Sequence, residues 1–451
     1  MDSTPSQPLT TVNPRGPTLA LPAKQRWLRR SSWAIFTLWL LLQLAAMVFI
    51  NGAGASLVDF AAYERAAQAL ESQRSPYGDA AATQAIWRSF HAREQALLLA
   101  PDQPARVALI AGYAQPLQQP GPYLYPPSLA LFVGFFGVTG VGFGALSLLA
   151  LAIFGWLWLE STRRHPAWLL LIVGSVEVTS TLHGGNVELL LLTLTLGSAW
   201  LLWQRHGLAA APLLAVIFLI KPFYILFFSA FAALQLGARA DRAQTFRTLI
   251  AAGAGSLALI GLEMLHWGAA LRGQTIDYFR HAFDYQWFAL PVSEQTPMSV
   301  WNRTPLQALV SAGVALNVAQ WLAVIGWAVC LLVTLWLCRG RPLTFPLVFA
   351  LALCLLYLGR PIGWTLLYLD LVILTVCWPA LAPRHRYVLL GVTIGVLLSR
   401  WWAFGLTAQG QGMPLMTLQQ PQFPWETLGL LVGGWLLLLA QPQLKRLSTA
   451  D

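Results

Sequence analysis

The sequence predicts an all-α polytopic membrane protein, and three observations support that prediction. Of its 451 residues, 57% are apolar and only 10% are charged, whereas a soluble domain has roughly 45–50% apolar and about 25% charged residues. Apolar runs recur almost from end to end, and a helix needs about 20 such residues to cross a bilayer. The runs are unbroken and do not alternate, which excludes a membrane β-barrel. This composition also excludes a water-soluble enzyme.

The net charge of +10 comes from 28 basic and 18 acidic residues. In a membrane protein such an excess reflects cytoplasmic loops rich in Lys and Arg. No clustered basic face is present, so no nucleic-acid partner is expected. The four cysteines lie inside apolar segments and are predicted to pack in the core, with neither a loop disulfide nor a metal cluster. They are Cys330, Cys338, Cys354 and Cys377.

The N-terminal segment differs from the rest of the chain. Its first 25 residues are rich in Pro, Ser and Thr, so residues 1–30 are predicted to form a disordered cytoplasmic tail. A basic group directly precedes the apolar run 33–50, which places the N-terminus inside and the end of the first helix outside. Residues 31–445 are then predicted to form a single transmembrane domain.

Residues 51–121 are mixed polar and are predicted to form a large external loop. Helical spacing is present over 58–71 and 80–99, with a turn at 75–78 between them. Long loops on compact proteins are usually functional, so this loop is the first place to look for chemistry. A second external loop is predicted over 270–305. The remaining apolar segments are 124–159, 167–182, 186–203, 208–220, 222–236, 247–268, 306–337, 343–358, 364–381, 386–405 and 425–441.

Basic residues in the later loops all lie inside if the helices alternate, which makes the C-terminus cytoplasmic. The earlier half allows two solutions. Either 124–159 crosses twice and 208–236 once, or 124–159 crosses once net and 208–236 is two short helices that meet at Lys221-Pro222. We prefer the second, because it also places Arg163, Arg164 and Arg205 inside. It gives 11–13 helices in all.

Asp59 is the first candidate for chemistry. It stands at the start of the helix predicted over 58–71, close to the end of the first membrane segment. One interpretation is a helix N-cap, for which Asp is a preferred residue. The other is a general base that takes a proton from a hydroxyl at the water–lipid boundary while a lipid-borne group departs. Spacing alone leaves both open.

Polar residues also interrupt the apolar segments further along the chain. His183, Asn186 and Glu188 stand together in a flexible turn, and such groups are costly at membrane depth unless they are partnered or line a wet cavity. Lys221 lies between two apolar runs, so it requires an anion such as a phosphate, or it reaches the surface at a broken helix. Tyr125-Pro126-Pro127 has the composition of a helix start.

In their order and spacing, these features resemble glycosyltransferase family 87, over residues 33 to about 380. That family contains polyprenol-phosphate-mannose-dependent mannosyltransferases with the GT-C fold. The chain departs from the family pattern in lacking a Gln in the Gly-Gly-Asn motif and a His after Trp364. The motifs of the resemblance are Asp59 with Tyr63, Ser75-Pro76-Tyr77, Tyr125-Pro126-Pro127, Gly184-Gly185-Asn186, Lys221-Pro222, Gln295-Thr296 with Arg303, and Arg360-Pro361-Ile362-Gly363-Trp364.

The resemblance implies a GT-C glycosyltransferase with a polyprenyl-phosphate sugar donor and a lipid or glycan acceptor on the external face. Asp59 matches the position of the catalytic Asp, and Lys221, Arg303 and Arg360 match positions suited to the donor phosphate. No Asp-x-Asp pair is present in the external loops, so neither a metal nor another cofactor is expected. The predicted substrate-binding residues are Tyr63, Tyr125, His183, Asn186, Glu188, Lys221, Arg303, Arg360 and Trp364.

A transporter or flippase of a lipid-linked glycan is the alternative function. Such a protein is expected to show internal symmetry, with interrupted helices at corresponding positions of its two halves. The Lys221-Pro222 break has no counterpart in the second half of the sequence. The sequence therefore favours the glycosyltransferase.

Overall fold

The computed structural model describes residues 23–52, 58–74, 125–135, 137–162, 165–238, 241–266, 304–339 and 343–360, with isolated residues and short pieces at 76, 268–278, 341, 386–398 and 431–436. This part of the chain is helical almost throughout and contains no strand. Its helices are α1 (Ala23–Gly52), α2 (Val58–Glu71), α3 (Pro127–Phe135), α4 (Gly140–Thr162), α5 (Leu170–Val173), α6 (Val176–Gly184), α7 (Glu188–Trp203), α8 (Gly207–Ile220), α9 (Ile225–Ala238), α10 (Arg242–His266), α11 (Pro305–Ser311), α12 (Leu316–Cys338) and α13 (Phe345–Gly359).

Four of the described helices, α1, α4, α10 and α12, are long and apolar enough to cross a membrane. All four leave large apolar side chains on their outer faces, an arrangement that suits lipid and is rare on a soluble protein. The predicted all-α membrane protein is thereby confirmed at this level. Exposed residues of this kind include Leu41, Leu42 and Phe49 on α1, Leu257, Leu262 and Leu265 on α10, and Trp321, Leu332 and Trp336 on α12.

Helix α1 begins at Ala23, earlier than its apolar run. The last eight residues of the segment predicted to be disordered, 23–30, are therefore helical, and that boundary is corrected. Helix propensity explains the extension, because Ala, Lys, Gln, Arg and Leu are all good helix formers. Helix α2 spans the same residues, Val58–Glu71, that the spacing predicted.

Two of the apolar segments are each divided into two helices at a glycine. Residues 124–159 form α3 and α4, with Gly137 at a φ of 56° between them, and residues 306–337 form α11 and α12, with Gly313 at a φ of 86°. A positive φ is accessible to glycine without steric strain, so each site ends a helix that hydropathy alone would continue. The short helix α3 packs against α2.

Helices α8 and α9 meet at Lys221-Pro222, with a single 3-10 turn over Pro222–Tyr224 between them. Lys221 has a φ of −147° and a ψ of 83°, outside the helical region. A proline disfavours helical geometry in the residue before it, which explains the break. Residues 208–236 therefore form two short helices, as the preferred topology predicted. Which side of the membrane each end faces stays a prediction.

The core lies among α4, α7, α9 and α13. Helix α13 is buried on nearly all sides, from Phe345 to Leu358, as expected for a helix that is apolar all round. Helices α8 and α10 approach each other closely at Gly207. A Cβ at this position would collide with the carbonyl oxygen of Thr248, 2.3 Å away, so the crossing requires a glycine. Small residues at such crossings are typical of membrane helices.

Candidate active site

Helix α2 places Asp59 in its first turn. Phe60 and Tyr63 on the same helix are buried and join the main core, so they fix α2 against the membrane helices. Asp59 itself is half-buried. An N-terminal carboxylate is favourable to the helix dipole, but Asp59 is the second residue of α2 and its Oδ2 accepts from Asn186, so the structure does not place it at the N-cap position.

The turn between α6 and α7 faces Asp59. Gly185 has a φ of 68°, and the backbone N–H of Asn186 donates to the carbonyl of Thr181 at 3.1 Å, which is the hydrogen bond of a Schellman helix end. A Cβ on Gly184 would lie 3.5 Å from Asp59 Oδ2. That distance is an ordinary contact, so the turn requires a glycine only at Gly185, where φ is positive.

The side chain of Asn186 bridges two elements. Its Nδ2 donates to Asp59 Oδ2 at 2.9 Å, and its Oδ1 accepts the backbone N–H of Glu188 at 2.9 Å. The second bond satisfies the backbone N–H of the first residue of α7, although Asn186 itself precedes the N-cap residue, Val187. One residue thus joins the carboxylate on α2 to the first turn of α7.

Burial raises the pKa of Asp59 above its ordinary value of 3.8, and the hydrogen bond from Asn186 and the charge of Lys221 oppose that rise. The two lowering effects are smaller than the effect of burial, so the net direction is upward. A carboxyl group with a raised pKa is a better proton acceptor at neutral pH. Perturbed carboxylates of this kind cluster at functional sites.

Two tyrosines connect Asp59 to Lys221. The rings of Tyr63 and Tyr125 pack edge to face with centroids 5.1 Å apart, and Lys221 Nζ lies 5.7 Å from the centroid of the Tyr125 ring. The Ser128 hydroxyl donates to the carbonyl of Leu219, which ties α3 to the end of α8 beside Lys221. We call Tyr63 and Tyr125 the aromatic wall, which connects the Asp59 carboxylate to the Lys221 ammonium.

Lys221 belongs to a buried charge cluster centred on Glu188. Lys221 Nζ lies 2.5 Å from Glu188 Oε2, and Arg360 Nη1 lies 2.8 Å from Glu188 Oε1. The Tyr224 hydroxyl donates to the same Oε1 at 2.9 Å. Two cations around one carboxylate leave one positive charge in excess. We call Glu188, Lys221, Arg360 and Tyr224 the charge cluster.

Access to the charge cluster is uneven. The side chains of Glu188 and Arg360 are each only 5% exposed, whereas that of Lys221 is 23% exposed. Arg360 also lies 4.2 Å from the ring centroid of Tyr357, a cation–π distance. Lys221 is therefore the member best placed to meet a ligand, whereas Arg360 is buried and contacts Glu188.

The structure brings together seven of the ten predicted site residues, namely Asp59, Tyr63, Tyr125, Asn186, Glu188, Lys221 and Arg360. The side chain of His183 is instead engaged by α1, where its Nε2 makes a 2.7 Å hydrogen bond to Gln43 Oε1. The predicted substrate-binding role of His183 stays a prediction. Arg303 and Trp364 lie outside the described residues.

Two partners in this region were not predicted from the sequence. Tyr224 follows Lys221 by three residues, and its backbone N–H donates to the Lys221 carbonyl at 3.1 Å. The turn that Pro222 begins therefore brings the two residues to the same site, and that Pro-led turn is the signal that could have found Tyr224. Gln43 sits among apolar residues of α1, and a polar residue at that depth is itself a signal. The anion that Lys221 was predicted to need is supplied within the chain by Glu188.

Comparisons with protein-family models, with curated protein sequences and with solved structures found no match to the chain. Among the described residues, no group of three or more His, Cys, Asp and Glu side chains is arranged to hold a metal ion.

Proposed function

We propose that the chain is an integral-membrane glycosyltransferase of family 87 type, with a GT-C fold and several more membrane crossings than the four long helices. It moves a sugar, mannose or a related hexose or pentose, from a polyprenyl-phosphate donor to a hydroxyl of a lipid or glycan acceptor. The reaction inverts the anomeric centre and needs no metal. The site opens on the external face of the cell membrane, with both termini in the cytoplasm.

One observation carries the proposal. A carboxylate with a raised pKa and a cluster with one excess positive charge lie at the two ends of a single aromatic wall. Sugar transfer from a lipid phosphate requires these two functions side by side, a base for the acceptor and a cation for the leaving group.

The chemical step balances with these residues. The acceptor oxygen attacks the anomeric carbon and forms the new glycosidic bond, while the bond from that carbon to the phosphate oxygen breaks. Asp59 takes the proton of the acceptor hydroxyl, and the electron pair of the broken bond stays on the phosphate. A single displacement of this kind needs one carboxylate, because no sugar–enzyme intermediate forms.

The excess positive charge of the charge cluster stabilises the phosphate as it leaves the sugar. A polyprenyl-phosphate sugar is a phosphodiester with one negative charge, and the leaving monoester carries about −1.5 to −2 at pH 7. Lys221, backed by Arg360, therefore attracts the phosphate more strongly as the bond breaks. Interactions that strengthen toward the transition state accelerate the reaction.

The proposal is tested with purified protein in vesicles that contain a synthetic polyprenyl-phosphate mannose labelled in the sugar. We expect label to move into an acceptor glycolipid extracted from the host membrane, and to do so equally in EDTA. If the label instead becomes accessible on the opposite leaflet with the donor intact, the protein is a flippase of lipid-linked sugars. Comparison by mass of lipids from a deletion strain then identifies the missing sugar.

A further inference from the structure

We propose that Asn186 is a positioning residue for Asp59, which it holds in a fixed orientation from a rigid turn, and that it does not itself bind substrate. The inference rests on the proposed role of Asp59 as the base. It replaces the sequence-based expectation that Asn186 contacts the substrate.

The hydrogen bonds of Asn186 fix the direction of its amide. Because Oδ1 accepts the N–H of Glu188, Nδ2 has to point the other way, toward Asp59 Oδ2. Both ends of the amide are thus used within the protein. An Asn with both ends engaged is oriented independently of any ligand, which is what positioning of a base requires.

The turn that carries Asn186 is held from three directions. The Schellman hydrogen bond to Thr181 fixes it to the end of α6, and the hydrogen bond from the N–H of Glu188 fixes it to the start of α7. The backbone N–H of Val187 donates to the Tyr63 hydroxyl at 3.4 Å, which connects the turn to α2. Asp59 is therefore restrained by a turn 127 residues away in the chain.

The charged and titratable groups around Asp59 come from each neighbouring element. Tyr63 is on its own helix, Tyr125 precedes α3, and His183 is at the end of α6, bonded to Gln43. Lys221 lies beyond the Tyr125 ring, with Glu188 and Arg360 behind it. Of these groups, Lys221 is the cation whose charge lowers the pKa of Asp59. The hydrogen bond that Asn186 donates to Asp59 lowers the same pKa.

Three substitutions separate positioning of Asp59 from support of the start of α7. Asn186→Ser keeps a side-chain oxygen that can accept the N–H of Glu188, but its side chain is too short to donate to Asp59. Asn186→Asp keeps the shape and that acceptor and turns the donor into a second carboxylate. Asn186→Ala loses both functions. If Asn186 only supports the start of α7, Ser and Asp behave like the natural residue and Ala alone is impaired.

The first measurement needs no substrate. Infrared difference spectra of the protonated carboxyl, assigned by subtraction of Asp59→Asn, give the pKa of Asp59 in each variant that folds. We expect the pKa to rise in Asn186→Ser, because a donor to the carboxylate is lost, and to rise further in Asn186→Asp, because a like charge is added. A pKa of Asp59 unchanged in both variants overturns the proposal.

The second measurement is the pH dependence of transfer from polyprenyl-phosphate mannose. Asn186→Ser is expected to shift the acid limb of kcat to higher pH and, because the carboxylate is no longer held in its orientation, to lower kcat at neutral pH by about 10-fold or more, with KM for the donor unchanged. A raised KM with an unshifted acid limb would assign Asn186 to substrate binding and contradict the proposal.

The two proposals fail separately. If Asp59→Asn keeps its activity, Asp59 is not the base and the proposed function falls, whatever Asn186 does. If Asp59→Asn is inactive while Asn186→Ser and Asn186→Asp keep the natural pH profile, Asp59 remains the base and only the positioning role of Asn186 is lost.

Discussion

Lys221 and Glu188, 33 residues apart in the chain, form an ion pair with Nζ 2.5 Å from Oε2. Each stands at a helix end, Lys221 at the break after α8 and Glu188 at the first residue of α7. The breaks in these apolar helices thus place opposite charges next to each other. Arg360, at the end of α13, adds the second cation.

The first prediction concerns the stability of the charge cluster. Glu188→Gln leaves two cations around an uncharged amide, and removal of one partner of a buried ion pair costs about 3–5 kcal/mol. We expect a clear fall in the thermal unfolding temperature in detergent. Glu64→Gln, on the exposed face of α2, is the control and should leave it unchanged. The double variant Glu188→Gln with Arg360→Gln should recover part of the lost unfolding temperature, because one of the two unpaired cations is removed as well. An unfolding temperature no higher than that of Glu188→Gln would contradict this explanation.

The second prediction separates Lys221 from the rest of the cluster. In Lys221→Gln, Arg360 still neutralises Glu188, so the protein should fold and express normally. Loss of one charge-assisted hydrogen bond of about 1.5–3 kcal/mol should raise KM for the lipid donor roughly 10- to 100-fold, with KM for the acceptor little changed. Arg205→Gln, which removes an exposed cation paired with Asp241, is the matched control. Natural donor kinetics in Lys221→Gln would show that Lys221 serves only the ion pair.

Much of this site could be predicted from the sequence, because its signals are local. The start of α2, the glycine turn before Asn186 and the break at Lys221-Pro222 each depend on a few neighbouring residues. The pairing of Arg360 with Glu188 spans 172 residues, and no local pattern specifies it. Hydropathy likewise failed at Gly137 and Gly313, where a backbone conformation and not polarity ends the helix.

The third prediction follows from the raised pKa of Asp59. An acid whose pKa is higher in the folded protein destabilises the fold when it is ionised, and that penalty disappears as the pH falls through the folded-state pKa. Asp59→Asn should therefore unfold at a higher temperature than the natural protein at pH 7. The difference should shrink toward pH 4. An Asp59→Asn protein that is less stable at pH 7 would contradict this and would show that the charge of Asp59 stabilises the start of α2.

The fourth prediction concerns sidedness, for which the distribution of the basic residues predicts an external α2 and a cytoplasmic start of α10. Single cysteines at Gln68 on α2 and at Gln244 on α10 are both at exposed positions. In a background without the four native cysteines, Gln68→Cys should react with an impermeant maleimide added to intact cells, and Gln244→Cys only after lysis. The reverse pattern would invert the orientation and remove the external site.

The central claim is that Asp59 accepts the proton of the acceptor, and the turnover of Asp59→Asn with synthetic polyprenyl-phosphate mannose tests it most directly. Asn has nearly the same shape and caps helices about as well as Asp, but it cannot take the proton. The account predicts a folded protein that binds donor and has lost about 100- to 10,000-fold in kcat, while Glu64→Gln keeps most of its activity. Turnover of Asp59→Asn above about a tenth of the natural rate, well short of the loss expected for a missing base, would contradict it.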